Sequence, residues 1–499
     1  MDRRPTESTA AGYPVAVSAT PRTPAAGPGR AWLPAILLAL AVGGFIGLCS
    51  ATVARHMIWP WGSDSAYFLQ RAWEATQGPV QPRTLLMLEQ GHGAWGGRHH
   101  SPIISLYAPF VALWPRYETL LLVQSALLGL GVLPLFVLCW RATEDRITAL
   151  LLLLAAVSVP GFIAIGVGDF RLVTTALALV PAVVLAAVFG PWPAMVAASV
   201  IACAAREEVA PLLLVALPWL VWERSRRRDE SLWVAARTLG LGVALPALAW
   251  QIGTSWRLAM FLPGATTGFG SVELTTLPGT FLSVLVQDLR GALTPSPPLI
   301  VRIVQVLGLT APLLLLRPLA ALPLVLFWFG AGINQGVVNA TQIHYYAPVV
   351  ALFMALTPLA LGRPDASARR THLVRGLCVL LVALHVVVPF FDTPVSVADA
   401  WDRRNEEPPE ERQLAALIGP TEPVIASGWL LPLLAPRRHM YCSQELSVDS
   451  QYDVLPSLTA ALFILPLEDE AHVVIDSGFE EVGRTRNAVL YRRPGTIAR

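Results

Sequence analysis

The stretch AWLPAILLALAVGGFIGLCS, residues 31–50, decides the fold, because it is membrane-length and carries no charged side chain. A helix needs about 20 consecutive apolar residues to cross the hydrocarbon core of a bilayer. Comparable runs recur along the chain, in which 54% of the 499 residues are hydrophobic and 14% are charged. Since a soluble domain has about 25% charged residues, the sequence predicts an all-α polytopic membrane protein.

The apolar runs predict about 11 transmembrane helices. They are expected at 31–51, 119–140, 147–165, 172–189, 192–205, 208–222, 233–251, 298–316, 319–333, 343–361 and 373–391. A shorter run at 103–114 is more typical of a re-entrant or interfacial helix, because it is too short to cross the core comfortably.

Three loops between these helices are rich in arginine: RATEDR (141–146), WERSRRRDE (222–230) and GRPDASARRTHLVR (362–375). Basic loops stay on the cytoplasmic side of a membrane. All three loops fall on that side when the N-terminus is placed there as well. We therefore expect a multi-pass protein of the plasma membrane, with a cytoplasmic N-terminus and the first outer loop at 52–118.

The two ends of the chain differ from the membrane domain, 31–394. Residues 1–30 are rich in Pro, Ala, Thr and Gly, so we expect a disordered cytoplasmic leader. Residues 395–499 combine a helical pattern, EEPPEERQLAALIG, with strand patterns, EPVIAS and ALFILP, and a hairpin pattern, VGRTRNAVLYRR. This tail predicts a small extracytoplasmic α/β domain.

Composition also limits the partners. A net charge of +2 is too small to indicate a nucleic-acid partner. The five cysteines are not spaced as zinc ligands and most lie in or beside apolar segments, so neither a zinc site nor a disulfide framework is expected. Membrane lipid is the partner that the composition does predict.

The unusual polar residues gather at the outer ends of the predicted helices. They are Asp64; His99 and His100; Asp169 and Arg171; Arg206, Glu207 and Glu208; and His344, Tyr345 and Tyr346. Ionisable groups at membrane depth are costly and usually face a cavity or a partner. The pattern is consistent with one outward-facing polar cavity, although each group would also be stable in a solvated loop.

Asp64 lies in WPWGSDSAYFLQRAW (59–73), just past the first apolar run. It could act as a general base or as a metal ligand. It could equally cap a short helix whose Tyr67, Phe68 and Leu69 rest on the membrane surface. Both interpretations remain open, since one residue can do both jobs.

The histidines and the first arginine each allow two interpretations. His99 and His100 could bind phosphate, donate a proton or ligate a metal, or they could form an interfacial polar cap. Arg171 could recognise an anionic head group, or it could pair locally with Asp169 in a turn.

The later polar groups are equally open. Glu207 and Glu208 could ligate a divalent cation, whose preferred ligands are carboxylate oxygens, or they could belong to a hydrated turn. His344 and Tyr345 follow a segment rich in Asn and Gln. Amides beside aromatic rings suit a sugar, and they also suit a polar outer loop.

The order of these motifs resembles that of a known family. The pattern runs Asp64-x3-Phe68-x-Gln70-x2-Trp73, then His100-Ser101-Pro102, Asp169-Phe170, Glu207 or Glu208, and His344-Tyr345. This order is similar to the uncharacterised prokaryotic membrane family called domain of unknown function 2079. That family in turn resembles the C-type (GT-C) glycosyltransferases, which are polytopic enzymes that take sugar from a polyprenyl-phosphate donor.

The resemblance implies a membrane glycosyltransferase whose catalytic acid, in the first outer loop, is Asp64. The substrate-binding positions that it implies are Gln70, His99, His100, Asp169, Arg171, Arg206, His344 and Tyr345. Among them, Arg171 and Arg206 would hold the donor phosphate. Glu207 and Glu208 would hold a divalent cation, Mg²⁺ or Mn²⁺, if one is required.

Two other functions are compatible with the same sequence. One is a transporter or flippase for a lipid or a lipid-linked sugar, which would need a polar path through the membrane. The other is a non-catalytic membrane scaffold whose extracytoplasmic domain binds a partner.

Overall fold

The computed structural model describes residues 32–56, 63–76, 101–168, 170–206, 209–261, 346–362, 367–387, 409–428, 430–434, 436, 439–443, 455–464 and 473–495. These residues form a bundle of membrane-length helices followed by a small five-stranded sheet. The predicted leader, 1–30, lies outside them.

The bundle begins with a long apolar helix and contains both long and short helices. The helices of the described residues are α1 (Trp32–His56), α2 (Ser63–Ala75), α3 (Ala108–Leu113), α4 (Tyr117–Thr143), α5 (Arg146–Val157), α6 (Pro160–Val167), α7 (Ala176–Phe189), α8 (Trp192–Cys203), α9 (Val209–Arg228), α10 (Leu232–Leu239), α11 (Leu245–Phe261), α12 (Ala347–Leu361), α13 (Ala368–Val387) and α14 (Glu410–Ala416). Short 3₁₀ turns at Pro102–Leu106 and Leu172–Thr175 precede α3 and α7, and a π turn at Gly240–Ala244 joins α10 to α11.

α4 is the central helix and packs against α1, α5, α7 and α12. Glycines make its closest crossings possible. A Cβ atom at Gly129 would lie 2.6 Å from the carbonyl oxygen of Ala39 on α1, and one at Gly131 would lie 2.5 Å from the Cα of Ala178 on α7. Small residues of this kind let helix backbones approach each other inside a membrane, so α4 holds both neighbours at close range.

The polytopic membrane fold predicted from the sequence is confirmed. Five helical segments of the described residues are long and apolar enough to cross a membrane: Trp32–Thr52, Tyr117–Thr143, Leu172–Phe189, Leu232–Thr254 and Ala368–Val387. α5 and α6 supply a sixth if they are counted as one bent span, and α8 and α12 are shorter apolar helices. The predicted spans at 298–316 and 319–333 lie outside the described residues.

Two predicted segments are not single straight helices. The segment 147–165 bends by 55° between α5 and α6. The bend falls at Pro160, which lacks the N–H that would continue the helical ladder and suits the first turn of a new helix. The run 103–114 is as short as expected and divides into a 3₁₀ turn and α3.

The three arginine-rich loops meet at one end of the bundle, which we call the arginine end and which Arg227 and Arg375 mark. Arg227 of α9 donates to the carbonyl oxygens of Gly362, after α12, at 3.1 Å and of Ala142, in the last turn of α4, at 3.4 Å. Arg375 of α13 pairs with Asp145 at 2.8 Å. The loops therefore share one end, and the assignment of that end to the cytoplasm stays a prediction.

Asp145 caps the N-terminus of α5 at the arginine end. Its carboxylate accepts hydrogen bonds from the backbone N–H of Thr148 and from Arg375, both at 2.8 Å. Burial alone would raise the pKa of Asp145, but these hydrogen bonds and the charge of Arg375 hold the pKa below its usual value. The carboxylate is thus ionised and paired at neutral pH.

The C-terminal sheet has the strand order β2-β1-β3-β5-β4. Its strands are β1 (Val424–Ala426), β2 (Met440–Cys442), β3 (Ala460–Ile464), β4 (Glu480–Arg484) and β5 (Ala488–Arg492). β1 pairs in parallel with β2 and β3, whereas β3, β5 and β4 are antiparallel. The predicted helix, two strands and hairpin are all present, and β2 is a strand that the sequence patterns did not indicate. The predicted domain boundary at 395 lies outside the described residues.

Alternate residues of β1 pack on opposite faces of the sheet. Val424 and Ala426 lie in a cluster with Leu414 of α14 and with Ala66 of α2, whereas Ile425 lies in a second cluster with Phe479. The sheet is therefore covered on both faces, and one covering element is α2 itself.

Candidate functional site

α2 begins at Ser63, so Asp64 lies in its first turn, near the end of α1. We call this end of the bundle, marked by α2, the Asp64 end. An acid in the first turn of a helix is favoured by the unpaired backbone N–H groups and by the helix dipole. The position is compatible with both interpretations of Asp64, helix cap and general base, and the catalytic role stays a prediction.

α2 buries three polar side chains, which is unusual for a short helix at the end of a bundle. Gln70, Arg71 and Glu74 are 0%, 1% and 2% exposed. The amide Nε2 of Gln70 donates to Glu74 Oε1 at 3.4 Å, and the Arg71 guanidinium lies over the ring of Tyr67 at 5.2 Å from its centroid. Charged side chains are almost never buried unless they are paired, so this helix is built around polar contacts.

The apolar side of α2 packs into the bundle. Phe68, Leu69 and Ala72 belong to a cluster that we call the Phe170 cluster. Its members are Ala54, Phe68, Leu69, Ala72, Ile103, Ile104, Tyr107, Val111, Tyr117, Leu120, Leu121, Phe170, Leu172 and Ala205. The expectation that Phe68 and Leu69 rest on the membrane surface is therefore wrong, because the bundle and the sheet enclose α2 from two sides.

The turn before α7 enters the Phe170 cluster. The Phe170 ring makes edge-to-face contacts with Phe68 of α2, at 5.5 Å between ring centroids, and with Tyr107, at 5.1 Å. The backbone N–H of Phe170 donates to the hydroxyl of Tyr117 at 2.8 Å, and that of Arg171 donates to Gln124 Oε1 at 3.3 Å. Arg171, a predicted phosphate-binding residue, thus directly follows Phe170, which contacts both α2 and Tyr107.

The turn after α8 reaches the same cluster. The N–H of Ile103 donates to the carbonyl oxygen of Ala204 at 3.2 Å, and Ala205 is a member of the cluster. Arg206, the next residue and the second predicted phosphate-binding arginine, is buried. The segment that follows His99 and His100 and the segment that precedes Glu207 and Glu208 are therefore in direct contact.

The start of α12, which directly follows the last predicted polar group, also lies at the Asp64 end. The helix is preceded by Tyr346, which is buried, and it contacts the 3₁₀ turn Leu172–Thr175. His344 and Tyr345 come immediately before Tyr346 in the sequence. Each of the five polar groups is thus adjacent in sequence to an element at the Asp64 end.

The family of predicted membrane proteins called DUF2079 matches residues 62–456. The chain belongs to this family. The matched region contains α2, the Phe170 cluster except for Ala54, and most of the bundle, in agreement with the resemblance stated from the motifs. No curated protein matches this DUF2079 chain in sequence.

Two solved structures of one protein resemble the DUF2079 chain in fold. ArnT from Cupriavidus metallidurans in the apo state has a TM-score of 0.51 and 14% sequence identity, with 93% of this chain and 98% of that chain covered. ArnT from the same organism bound to undecaprenyl phosphate has a TM-score of 0.49 at the same identity and coverage. The likeness to the apo structure shows a GT-C type of membrane fold, as predicted.

The structure describes the side chains of only some predicted site residues. Gln70, Arg171 and Arg206 are described and lie in or beside the Phe170 cluster. His99, His100, Asp169, Glu207, Glu208, His344 and Tyr345 lie outside the described residues, as does the side chain of Asp64. Their roles stay predictions, although the elements that flank them meet at one end of the DUF2079 fold.

A metal site is not visible within the described part of the chain, where no group of three His, Cys, Asp or Glu side chains gathers. The predicted ligands Glu207 and Glu208 are outside that part. The expected Mg²⁺ or Mn²⁺ therefore stays a prediction.

Several residues of the Asp64 end escaped the sequence patterns. Arg71 and Glu74 are two of them, and their i, i+4 spacing from Tyr67 and Gln70 is the signal that could have indicated their contacts. Tyr117 and Gln124 lie on a long apolar helix and bind backbone atoms that are 53 and 47 residues away in the chain. No local pattern marks such contacts.

The C-terminal sheet of this DUF2079 protein docks on the Asp64 end. Ala66 of α2 belongs to the cluster between α2 and the sheet. Arg412 of α14 pairs with Glu118 of α4 at 2.8 Å and also donates to the carbonyl oxygen of Ala54 in α1. α2 is therefore held between the membrane bundle and the sheet.

Proposed function

We propose that this protein is a membrane glycosyltransferase of the GT-C type. It would transfer a sugar from a polyprenyl-phosphate donor to an acceptor at the Asp64 end, which the arginine distribution predicts to be the outer face. The observation that carries the proposal is the packing of α2, which bears Asp64 and the buried Gln70, into the cluster that also contains Phe170 and Ala205, the sequence neighbours of Arg171 and Arg206.

The chemistry assigns one task to each kind of group. The acceptor hydroxyl oxygen forms a bond to the anomeric carbon as the bond from that carbon to the phosphate oxygen breaks. The hydroxyl proton passes to the carboxylate of Asp64, and the polyprenyl phosphate leaves as an anion. Arg171 and Arg206 would hold that anion, because guanidinium groups match phosphate oxygens in charge and geometry.

The remaining predicted residues would bind the rest of the substrates. His344, Tyr345 and Gln70 would contact the sugar, and His99, His100 and Asp169 would line the approach of donor and acceptor. Glu207 and Glu208 would supply the oxygen ligands that Mg²⁺ or Mn²⁺ prefers. Such a cation would neutralise phosphate charge. Neither the transfer of the sugar nor that of the hydroxyl proton to Asp64 requires it.

The packing of the arginine end argues against the transport alternative. Arg227 ties α9 to the ends of α4 and α12, and Arg224 donates to the carbonyl oxygens of Ala187 and Gly190 at the end of α7. A transporter must open both ends in turn. Opening this end would break several hydrogen bonds between the buried Arg224 and Arg227 and backbone carbonyl oxygens at the same time.

The proposal is tested with the purified full-length protein in lipid nanodiscs. Undecaprenyl-phosphate-linked hexoses and pentoses serve as donors, membrane lipid extracts supply acceptors, and release of undecaprenyl phosphate is measured. Asp64→Asn should lower transfer by about 10²- to 10⁴-fold, the usual contribution of a general base. Asp145→Asn, an acid at a helix start at the opposite end, is the matched control and should retain transfer.

Two results would contradict the proposal. If Asp64→Asn retained wild-type transfer, Asp64 would not be the general base. A wild-type protein that moves a lipid-linked sugar across the bilayer without releasing undecaprenyl phosphate would favour the transporter.

A further inference from the structure

Between α6 and α7, the backbone of Gly168 and of Arg171 leaves helical geometry on either side of a buried residue, Phe170. Gly168 has φ −67° and ψ −166°, and Arg171 has φ −143° and ψ 130°, both with extended ψ values. Phe170 between them is fully buried. A buried N–H in such a segment has no helical carbonyl to bond and needs another acceptor.

α4 supplies both acceptors. Tyr117 accepts from the N–H of Phe170 at 2.8 Å, and Gln124 accepts from the N–H of Arg171 at 3.3 Å. The two residues are seven apart, which is two helical turns, so they share one face of α4. Two consecutive N–H groups of the segment are thus bonded to side chains of one rigid helix.

The same segment touches α2. The ring of Phe170, whose N–H is bonded to Tyr117, packs edge-to-face on Phe68 of α2. Aromatic pairs of this geometry are specific in distance and angle. A shift of the Phe170 backbone would therefore be transmitted to the helix that carries Asp64.

We propose that Tyr117 and Gln124 are positioning residues that fix the backbone of Phe170 and Arg171 against α4 and, through Phe170, fix the position of α2. In terms of the proposed function, on which this part of the inference rests, they set the place of Arg171 relative to Asp64. Neither residue touches the reacting atoms.

The test compares two buried tyrosines that both lie beside Phe170. The Tyr117 hydroxyl accepts the Phe170 N–H, whereas the Tyr107 hydroxyl has no hydrogen-bond partner among the described residues. Tyr117→Phe and Tyr107→Phe each remove one oxygen and keep the ring. Only the first removes an acceptor of the segment, so Tyr107→Phe is the matched control.

The first measurement is hydrogen–deuterium exchange of the full-length protein in nanodiscs. Tyr117→Phe should speed exchange at Phe170 by about 10-fold, the factor expected when one hydrogen bond of ordinary strength is lost. Gln124→Met should speed exchange at Arg171 by a smaller factor, since its bond is longer. Peptides of α2 should exchange faster in both variants, and Tyr107→Phe should match the wild type.

The second measurement is the affinity for undecaprenyl phosphate, by native mass spectrometry. Tyr117→Phe should weaken binding about 10-fold, and Tyr107→Phe should not. Equal exchange in the two tyrosine variants overturns the inference. Faster exchange with unchanged affinity also overturns it, because the segment is then anchored without positioning Arg171. A wild type that does not bind undecaprenyl phosphate contradicts the proposed function, while the exchange data still decide whether α4 fixes the segment.

Discussion

Arg226 and Arg227 give the sharpest test of what closes the arginine end. Both pair with the same oxygen, Glu223 Oε2, at 2.9 Å. The Arg226 side chain is 31% exposed and the Arg227 side chain is 6% exposed, against 1% for Glu223. We compare Arg227→Ala with Arg226→Ala, which differ in burial while sharing the same acid.

The magnitudes follow from the partners that each substitution removes. Arg227 also donates to the carbonyl oxygens of Ala142, Leu359 and Gly362. Breaking a buried ion pair from one side costs about 3–5 kcal/mol. In Arg227→Ala the buried Glu223 would keep its pair with the partly exposed Arg226, and three carbonyl oxygens would lose their donor. A partly exposed pair is worth about 0–1 kcal/mol. Arg227→Ala should therefore destabilise the protein by about 3–5 kcal/mol, and Arg226→Ala by at most about 1 kcal/mol.

The assay is unfolding in one detergent, with both heat and SDS as denaturants and tryptophan fluorescence as the signal. A rescue variant separates the charge from the carbonyl contacts. Arg227→Ala combined with Glu223→Gln removes the under-compensated acid and should be more stable than Arg227→Ala alone. Equal losses for the two arginine variants would refute the argument from burial. A double variant no more stable than Arg227→Ala would assign the loss to the carbonyl contacts instead.

Two further predictions concern helix packing and pH. Gly129→Ala should destabilise the bundle by about 1–3 kcal/mol, because its Cβ would lie 2.6 Å from the carbonyl of Ala39, whereas Gly44→Ala, with nothing within 4 Å, should be neutral in the same unfolding assay. The Asp145 carboxylate, whose pKa is lowered beside Arg375, stabilises the fold above its unfolded pKa of about 3.9. The melting temperature of the wild type should therefore exceed that of Asp145→Asn at pH 6, and the gap should shrink as the pH falls towards 3; a constant gap would contradict this.

The membrane spans could be predicted from the sequence because hydrophobic length is a local property. The run at 31–50 became α1, and the hairpin pattern VGRTRNAVLYRR became β4 and β5. The break at Pro160 was also encoded locally, but the apolar composition of 147–165 continues through it, so composition alone suggested one straight span.

The site could be predicted only as a set of sequence positions. Chemistry-bearing residues such as Arg171 and Arg206 were found from their type and from the side of the membrane. Tyr117 and Gln124 bond the backbone N–H groups of Phe170 and Arg171, which are distant in the chain, and a single sequence contains no record of that pairing. The sequence allowed an interfacial position for α2 as one of two interpretations, because the sheet that covers it lies more than 300 residues later in the chain.

Because the sheet docks on α2, a truncation of the C-terminal region cannot distinguish an enzyme from a scaffold. Ala66 of α2 packs on the sheet, while Phe68 of the same helix packs in the bundle. Arg412 adds a pair with Glu118 at the junction. Removal of the C-terminal region would therefore expose one side of α2 and release the helix that carries Asp64. Loss of function after that truncation is expected for an enzyme and for a scaffold alike. A single substitution at Asp64 leaves the contacts of Ala66 and Phe68 in place, so only that change distinguishes a catalytic acid from a binding platform.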